Sequence, residues 1–569
     1  MLQKTDCTSR LVSLFVLLAL SFGALPSVRA QRPQPQQRER RVVTAPAAAS
    51  PTPTPAPAPA PAQSTQSAAQ VSGPAAPKTL AELRARIKEV LLRPGLYAAM
   101  AAVKVVSLDT GRTLYEENTH KLLRPASNMK LYTVAAALDR LGADYRFKTS
   151  VYAPQRPDAS GTLRGDLIIY GRGDPSIAAR FNSGDYYKAI DELAQRIAAT
   201  GTRRVEGDLV GDESYFIGPP LGTGWEWDDL TWWYGAEVSA LTINDNALDL
   251  TVKPGASVGA PCLITTGPAT SLLKIVNRTM TVPKGTKRDI SVYRGLGENV
   301  LEVSGQMPLE DKGYTSGIGI SRPAMLYMEM LRAQLLKHGV AVTGQLRTVD
   351  ARSFGGVSVD PIQRASLSGL TNIQRSLPLI ELASMPSPPL SLIAAQTLKP
   401  SQNLYTELIL RTLGKVAALP TSTARTSEEA GLEVVRKFLG EAGLNADSLV
   451  LTDGSGLSRN DMITADATLQ LLTYMSRHRH ASVFRDALPI AGLDGTLRSR
   501  MKGTPAENNL RAKTGSLSSA ASLSGYVTSA SGERLVFSIM VNNYPESTDP
   551  RRECIDPIAV LLASFAGKS

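Results

Sequence analysis

Strand-like sequence stands at both ends of this chain, with helices and a long strand-rich stretch between. The apolar run Ala101–Leu108, a turn at Asp109-Thr110-Gly111 and the returning Thr113–Tyr115 read as a hairpin near the start. Leu523–Val527 and Leu535–Asn542 read as strands near the end. Residues of about 150 to 385 differ from both ends: short alternating strands, many glycines and prolines, and one helix, Pro323–His338, with Ser321 as its cap. Helices return at Ser401–Leu413, Ser427–Ala442, Ala465–Arg477 and Pro557–Phe565. This order implies an α+β domain whose sheet is assembled from both ends of the sequence, with other material inserted into it.

The first thirty residues point to a compartment. Lys4 and Arg10 precede the apolar stretch Leu11–Leu25, and Val28-Arg29-Ala30 suits a signal peptidase. The stretch is shorter than the roughly 20 residues a membrane span needs. The expectation is a cleaved export signal over residues 1–30 and a periplasmic or other extracytoplasmic location, with an uncleaved anchor as the alternative. From Gln31 to Lys78, 30 of the 48 residues are Pro, Ala or Gln and none is Leu, Ile, Phe, Tyr or Trp. Such a segment cannot offset the entropy of ordering and reads as an extended tether. Helical periodicity begins at Leu80, Leu83, Ile87, Val90 and Leu91.

The formal charge is +11, and the signal holds three bases and one acid, so +9 remains without it. That surplus is mild for 569 residues and contains no dense basic run, so nothing announces nucleic acid. Cys262 and Cys554 would remain; in an oxidising compartment they could pair, but 292 positions apart they read first as buried, unpaired thiols.

Metal chemistry has no motif here: there is no Cys-x-x-Cys, no His-Glu-x-x-His, and only four histidines, of which His478 and His480 read as solvated surface. No Gly-x-Ser-x-Gly elbow supports a serine-histidine-aspartate triad. What remains is Ser127-Asn128-Met129-Lys130, preceded by Arg124-Pro125-Ala126 and followed by apolar-periodic sequence through Leu141. Proline ahead of a helix fits its allowed positions and sets Ser127 at a helix start. Three residues apart on a helix, the serine hydroxyl and the lysine amine share one face. A serine is a weak nucleophile until a base takes its proton, and a lysine is that base only when neutral, which calls for desolvation or a second cation nearby. The helix start adds backbone N–H groups where an oxyanion would develop. Ser271-Leu272-Leu273-Lys274 repeats the pattern inside the strand-rich region and reads as coincidence.

Two further elements follow in order, Ser401-Gln402-Asn403 and Lys513-Thr514-Gly515. The serine can relay a proton, the asparagine can hold a substrate amide, and lysine with threonine on a strand edge can grip a terminal carboxylate. Ser-x-x-Lys, Ser-x-Asn and Lys-Thr-Gly in this order form the set of penicillin-binding proteins and class A β-lactamases. Four tryptophans between Trp225 and Trp233 read as packing at a domain boundary in preference to a sugar platform, and Asp453-Gly-Ser-Gly-Leu-Ser458 reads as a turn shaping the cleft floor.

Arg124-Pro-Ala-Ser-Asn-Met-Lys-Leu131, Ser387-Pro-Pro-Leu390, Ser401-Gln-Asn-Leu-Tyr-Thr-Glu407, Asp453-Gly-Ser-Gly-Leu-Ser458, Lys513-Thr-Gly-Ser-Leu517, Leu523-Ser-Gly-Tyr526 and Val541-Asn-Asn543 resemble the D-alanyl-D-alanine carboxypeptidase/endopeptidases of the low-molecular-mass, class C penicillin-binding proteins, peptidase family S13. Gly173-Asp-Pro175, Trp225-Glu-Trp-Asp-Asp229 and Val238-Ser-Ala-Leu241 are similar to landmarks of that family's insert. The resemblance runs from about residue 80 to the end.

It implies a penicillin-binding transpeptidase domain, an antiparallel sheet flanked by helices beside a helical lobe, over residues 79–150 and 388–569. That domain would be interrupted by a second over 151–240 and 345–387, which carries a third over 241–344. It further implies Ser127 as acylated nucleophile, Lys130 as its base, Ser401 as proton relay and Asn403 as partner of substrate and lysine. Lys513 and Thr514, with Gly515, would bind the substrate's terminal carboxylate, the N–H groups of Ser127 and Ser516 would form the oxyanion hole, and Asp174 would reach toward the amino end of the peptide stem. Peptidoglycan stem peptides are the implied substrates and β-lactams the implied inhibitors, with no cofactor. Carboxypeptidase and endopeptidase action both remain open.

Overall fold

The computed structural model describes residues 76–356, 358, 360–364 and 379–569, so the export signal and nearly all of the tether read from the sequence lie outside the described residues. The two ends of the chain meet in one five-stranded antiparallel sheet. Its order is Arg511–Leu517, Ala520–Thr528, Arg534–Asn542, Met100–Ser107, Thr113–Glu117. Arg534–Asn542 is buried at every position after the first, which is why its sequence is apolar on both sides of Ser538, from Leu535 to Phe537 and from Ile539 to Val541, and not an alternation. Helices Leu80–Leu91 and Asp556–Ser564 cover one face through Leu83, Ile87, Ile558 and Leu562.

The other face carries helix Ala465–Met475 and a helical lobe of Met129–Arg140, Leu390–Leu398, Asn403–Val416 and Ser427–Glu441 around one core. Met129–Arg140 is buried from Met129 to Leu138, consistent with a helix that is apolar nearly all round. Starts are set by local chemistry: the Thr79, Thr426 and Thr464 hydroxyls accept from the backbone N–H of Glu82, Glu429 and Ala467.

A second five-stranded sheet occupies the middle of the chain, in the order Leu346–Val349, Leu209–Asp212, Leu167–Tyr170, Lys148–Ala153, Ile380–Pro386. Residues 247–319 leave it to form two three-stranded sheets around Leu250, Val252, Cys262, Leu301, Val303 and Met307. Helix Pro323–Lys337 packs through Leu326, Met330 and Leu335 into the core of the five-stranded sheet, together with helix Lys188–Ala198. By packing it sits with that sheet, whereas the sequence division at 344/345 grouped it with the third domain.

Three finer expectations change. Ser321 does not cap the Pro323–Lys337 helix: Arg322 holds the cap position in a left-handed conformation, and the Ser321 hydroxyl accepts from Arg294 Nη1 at 2.7 Å. His478 is not solvated, because the end of the Ala465–Met475 helix packs on that of Met129–Arg140 and sets its Nε2 3.0 Å from Asp139 Oδ1. Of the tryptophans, Trp233 is buried but Trp227 is 56% exposed. Cys262 and Cys554 are free and buried. Among the described residues no helix is long and apolar enough to cross a membrane.

Candidate active site

The Ser127 hydroxyl stands at the seam between the sheet and the helical lobe, on a single 3-10 turn, Ala126–Asn128, that leads straight into the Met129–Arg140 helix. Ala126 has φ 47°, a left-handed conformation that costs a non-glycine residue about 1 kcal/mol or more. Two glycines make room for that turn. A Cβ on Gly456 would lie 1.9 Å from the Ala126 carbonyl oxygen, and one on Gly515 would lie 2.6 Å from that of Pro125. The Ser522 hydroxyl then ties down the Pro125 carbonyl at 2.7 Å.

Lys130 is fully buried, and its Nζ lies 3.0 Å from Ser127 Oγ, 2.6 Å from Asn403 Oδ1 and 2.7 Å from the Ser455 carbonyl oxygen. The asparagine's orientation is fixed from its far side, where Nδ2 donates to the Tyr234 carbonyl at 2.8 Å. Ser401, two residues earlier, has φ 64° and takes a hydrogen bond from Lys513 Nζ at 2.8 Å. Lys513 also donates to the Thr514 carbonyl at 2.8 Å, and Gly515 and Ser516 follow on the same edge strand of the sheet. Ser127, Lys130, Ser401, Asn403 and Lys513, with the Thr514-Gly515-Ser516 edge, therefore converge where sheet meets lobe, and two non-glycine residues in the left-handed region mark the place.

The turn Asp453–Ser458 lies beneath them and is organised by one carboxylate. Asp453 Oδ1 accepts from the N–H of Ser455 and Gly456 at 3.0 and 2.6 Å, and Oδ2 from those of Leu457 and Ser458 at 3.1 and 2.9 Å. The indole N–H of Trp225, from the inserted region, donates to the same Oδ2 at 2.9 Å. Behind this turn Glu407 accepts from Gly454 N–H at 3.1 Å; burial, then the charges of Asp453 and Glu428, hold its carboxyl well above the usual range. Asp461 is raised in the same way by burial and by Asp453.

Asp174 lies apart. It is 2% exposed, its Oδ1 accepts from the N–H and hydroxyl of Ser176 at 2.8 and 2.7 Å, and no hydrogen bond among the described residues joins it to the serine-lysine cluster. Burial raises its pKa to about 6. The inserted segment that does reach the cluster is 225–234, through Trp225 and Tyr234. No sequence signal marked those two contacts beyond the density of tryptophan. Glu226, Asp228 and Asp229 come close to one another, with Arg459 ion-paired to Glu226 and Asp229 at 2.9 and 3.0 Å. Ser271, of the repeated motif, donates to Glu329 at 2.6 Å from an exposed position and keeps no company with the cleft.

A sheet built from both chain ends, a helical lobe and a buried serine-lysine pair between them define a serine hydrolase of the penicillin-recognising fold. Known proteins narrow this. The model of the D-Ala-D-Ala carboxypeptidase 3 (S13) family matches residues 83–370 and 374–565. The D-alanyl-D-alanine carboxypeptidase of Actinomadura sp. (strain R39) is 34% identical over 505 residues, 87% of this chain and 86% of its own. D-alanyl-D-alanine carboxypeptidase DacB of Haemophilus influenzae is 25% identical over 448 residues, 77% of this chain and 84% of its own. The crystal structure of penicillin binding protein 4 (dacB) from Haemophilus influenzae shares the fold with a TM-score of 0.69 at 22% identity, covering 85% of this chain and 99% of that one. The chain belongs to the S13 family of D-alanyl-D-alanine carboxypeptidases, as the motifs implied.

Proposed function

We propose that this carboxypeptidase is exported and cleaves peptidoglycan stem peptides through an acyl-enzyme on Ser127. The observation that carries the reading is the 3.0 Å approach of Lys130 Nζ to Ser127 Oγ in a site where Lys130 is fully buried. Burial disfavours the charged form of an amine. Two of the amine's contacts, Asn403 Oδ1 and the Ser455 carbonyl, are oxygens that only accept. A neutral amine can donate to both and still turn its lone pair to the serine hydroxyl.

In this reading Lys130 takes the proton as Ser127 Oγ attacks the carbonyl of the penultimate D-alanine. The N–H groups of Ser127 and Ser516 hold the developing oxyanion. Ser401, polarised by Lys513, passes a proton to the leaving amine, and Asn403 orients the substrate amide. The Thr514 hydroxyl and Lys513 receive the carboxylate beside the leaving amine, on the edge strand that Gly515 lets pack against the Ala126 turn. Water then cleaves the ester. A free D-alanine as leaving group makes the reaction a carboxypeptidase step, and an amine belonging to a neighbouring stem makes it an endopeptidase step. β-Lactams, which imitate the D-alanyl-D-alanine end, acylate the same serine; a relative's structure, that of the Haemophilus influenzae protein, was solved with a β-lactam bound. Asp174 is assigned to the amino end of the stem by family resemblance alone.

The test is incubation of the purified protein with a labelled penicillin and with a pentapeptide stem. Stable labelling that mass spectrometry places on Ser127, together with D-alanine release, is the expected result. Label on another residue, or neither label nor release, overturns the reading.

A further inference from the structure

We propose that Thr496 is a positioning residue for the carboxylate clamp: its hydroxyl turns the proton of Thr514 toward the substrate. The inference rests on the role given to Thr514 above and extends it to a residue outside the three motifs. Thr496 Oγ1 lies 2.7 Å from Thr514 Oγ1. Thr514 is 8% exposed, whereas Thr496 is exposed on the turn Gly495–Leu497 that overhangs the strand edge.

That turn is held firmly to the lead-in of the second motif. Thr496 N–H donates to the Lys399 carbonyl at 3.0 Å. Lys399 Nζ returns to Asp494 Oδ2 at 2.6 Å and to the Leu488 carbonyl at 2.9 Å. Gly495 has φ 53°, and a Cβ there would lie 2.5 Å from the Lys399 carbonyl oxygen, so the turn rests directly on the backbone two residues before Ser401. Thr496 thus bridges the Ser401 and Lys513-Thr514 elements through one side-chain hydrogen bond.

The direction of that bond has a chemical consequence. A hydroxyl has one proton and two acceptor sites, and a carboxylate only accepts. Were Thr514 to donate to Thr496, its lone pairs would face the incoming anion. With Thr496 as donor, the Thr514 proton is left to point at the carboxylate, and each bond of such a chain strengthens the next. The side chain of this exposed turn residue makes one hydrogen bond among the described residues, to Thr514, and the backbone bond to Lys399 survives its replacement, so the position can be altered without dismantling the site.

The experiment follows D-alanine or D-alaninamide release from one peptide ending in D-alanyl-D-alanine and from the same peptide as its C-terminal amide, with wild type, Thr496→Val, Thr496→Ala and Thr496→Ser. On the free acid, Thr496→Val and Thr496→Ala should lose about 5- to 20-fold in kcat/KM, most of it in KM. On the amide the same variants should stay within about twofold of wild type, because no anion is left to recognise. Thr496→Ser, which keeps the hydroxyl, should recover the free acid to within about threefold. Wild-type rates on the free acid in the valine and alanine variants would overturn the inference, as would equal losses on both peptides. If wild type released nothing from either peptide, the catalytic reading itself would fall and this inference with it; if only the Thr496 pattern failed, that reading would stand.

Discussion

Trp225 donates its indole N–H to Asp453 across 2.9 Å, joining the inserted region to the turn whose Ser455 carbonyl holds Lys130. The insert is thereby joined structurally to the serine-lysine cluster. Asp453 also receives four backbone N–H groups of its own turn. Asparagine there would present an amide NH2 to donors, and the loss of a charge-assisted hydrogen bond is worth about 1.5–3 kcal/mol. Asp453→Asn should slow acylation by a labelled penicillin about 10- to 100-fold. Trp225→Phe removes one neutral donor and should cost about 3- to 10-fold. Unchanged acylation in both would mean that the turn holds its place without the carboxylate.

Ser127 and Lys130 should behave as a unit. Residues that act on one proton transfer are far from additive, so each alanine variant should lower acylation by at least about 10³-fold, and the double variant should be little worse. Ser271→Ala is the control, since Ser271 is bonded to Glu329 at an exposed site. Rate constants from stopped-flow labelling check all four proteins, and a labelling defect in Ser271→Ala would break the assignment.

Gly515 tests the crowding around the Ala126–Asn128 turn that carries Ser127. A Cβ there would meet Ser522 Oγ at 2.2 Å and the Pro125 carbonyl oxygen at 2.6 Å. Overpacking of this kind costs about 1–3 kcal/mol, and here it falls on the strained Ala126 turn. Gly515→Ala should lose acylation by more than 10-fold, roughly what 1.4 kcal/mol implies, with a lowered Tm. The double variant Gly515→Ala/Ser522→Gly, which removes the nearer obstacle, should recover part of both.

Much of this architecture can be read from the chain and some of it cannot, for a physical reason. Ser127 and Lys130 are three apart where a 3-10 turn runs into a helix, so local helical periodicity alone brings them together. Met100–Ser107 and Arg534–Asn542 are legible as strands because they are mostly apolar, and the order of elements implies one sheet from both chain ends, while the pairing of these two strands with each other comes from the structure alone. The Trp225–Asp453 and Asn403–Tyr234 contacts were not legible, because each joins segments remote in sequence and neither partner carries a local pattern that names the other. The same holds for His478, whose neighbour Asp139 belongs to a distant helix. Burial, which also decides the state of Asp174 and Glu407, is a property of the assembled fold and has no short-range signature.

Asp174 separates a structural from a substrate-binding role through its pH dependence. Burial raises its pKa to about 6 from the ordinary 3.8. A carboxyl raised on folding favours the folded state while protonated, so its contribution is full below about pH 4 and is lost as pH rises through about 6. The difference of roughly two pH units corresponds to about 3 kcal/mol. Asparagine keeps an oxygen for the Ser176 N–H and hydroxyl and has no charge to bury. Asp174→Asn should therefore raise the Tm relative to wild type at pH 7.5 and leave it within about a degree or two at pH 4. Thermal melts at the two pH values check this, and an equal shift at both would assign the effect to packing. If Asp174 also meets the stem's free amine, the same variant should lose activity on stems that carry that amine and keep it on stems in which the amine is acetylated. Equal activity on both would leave Asp174 as a buried brace of the Ser176 turn.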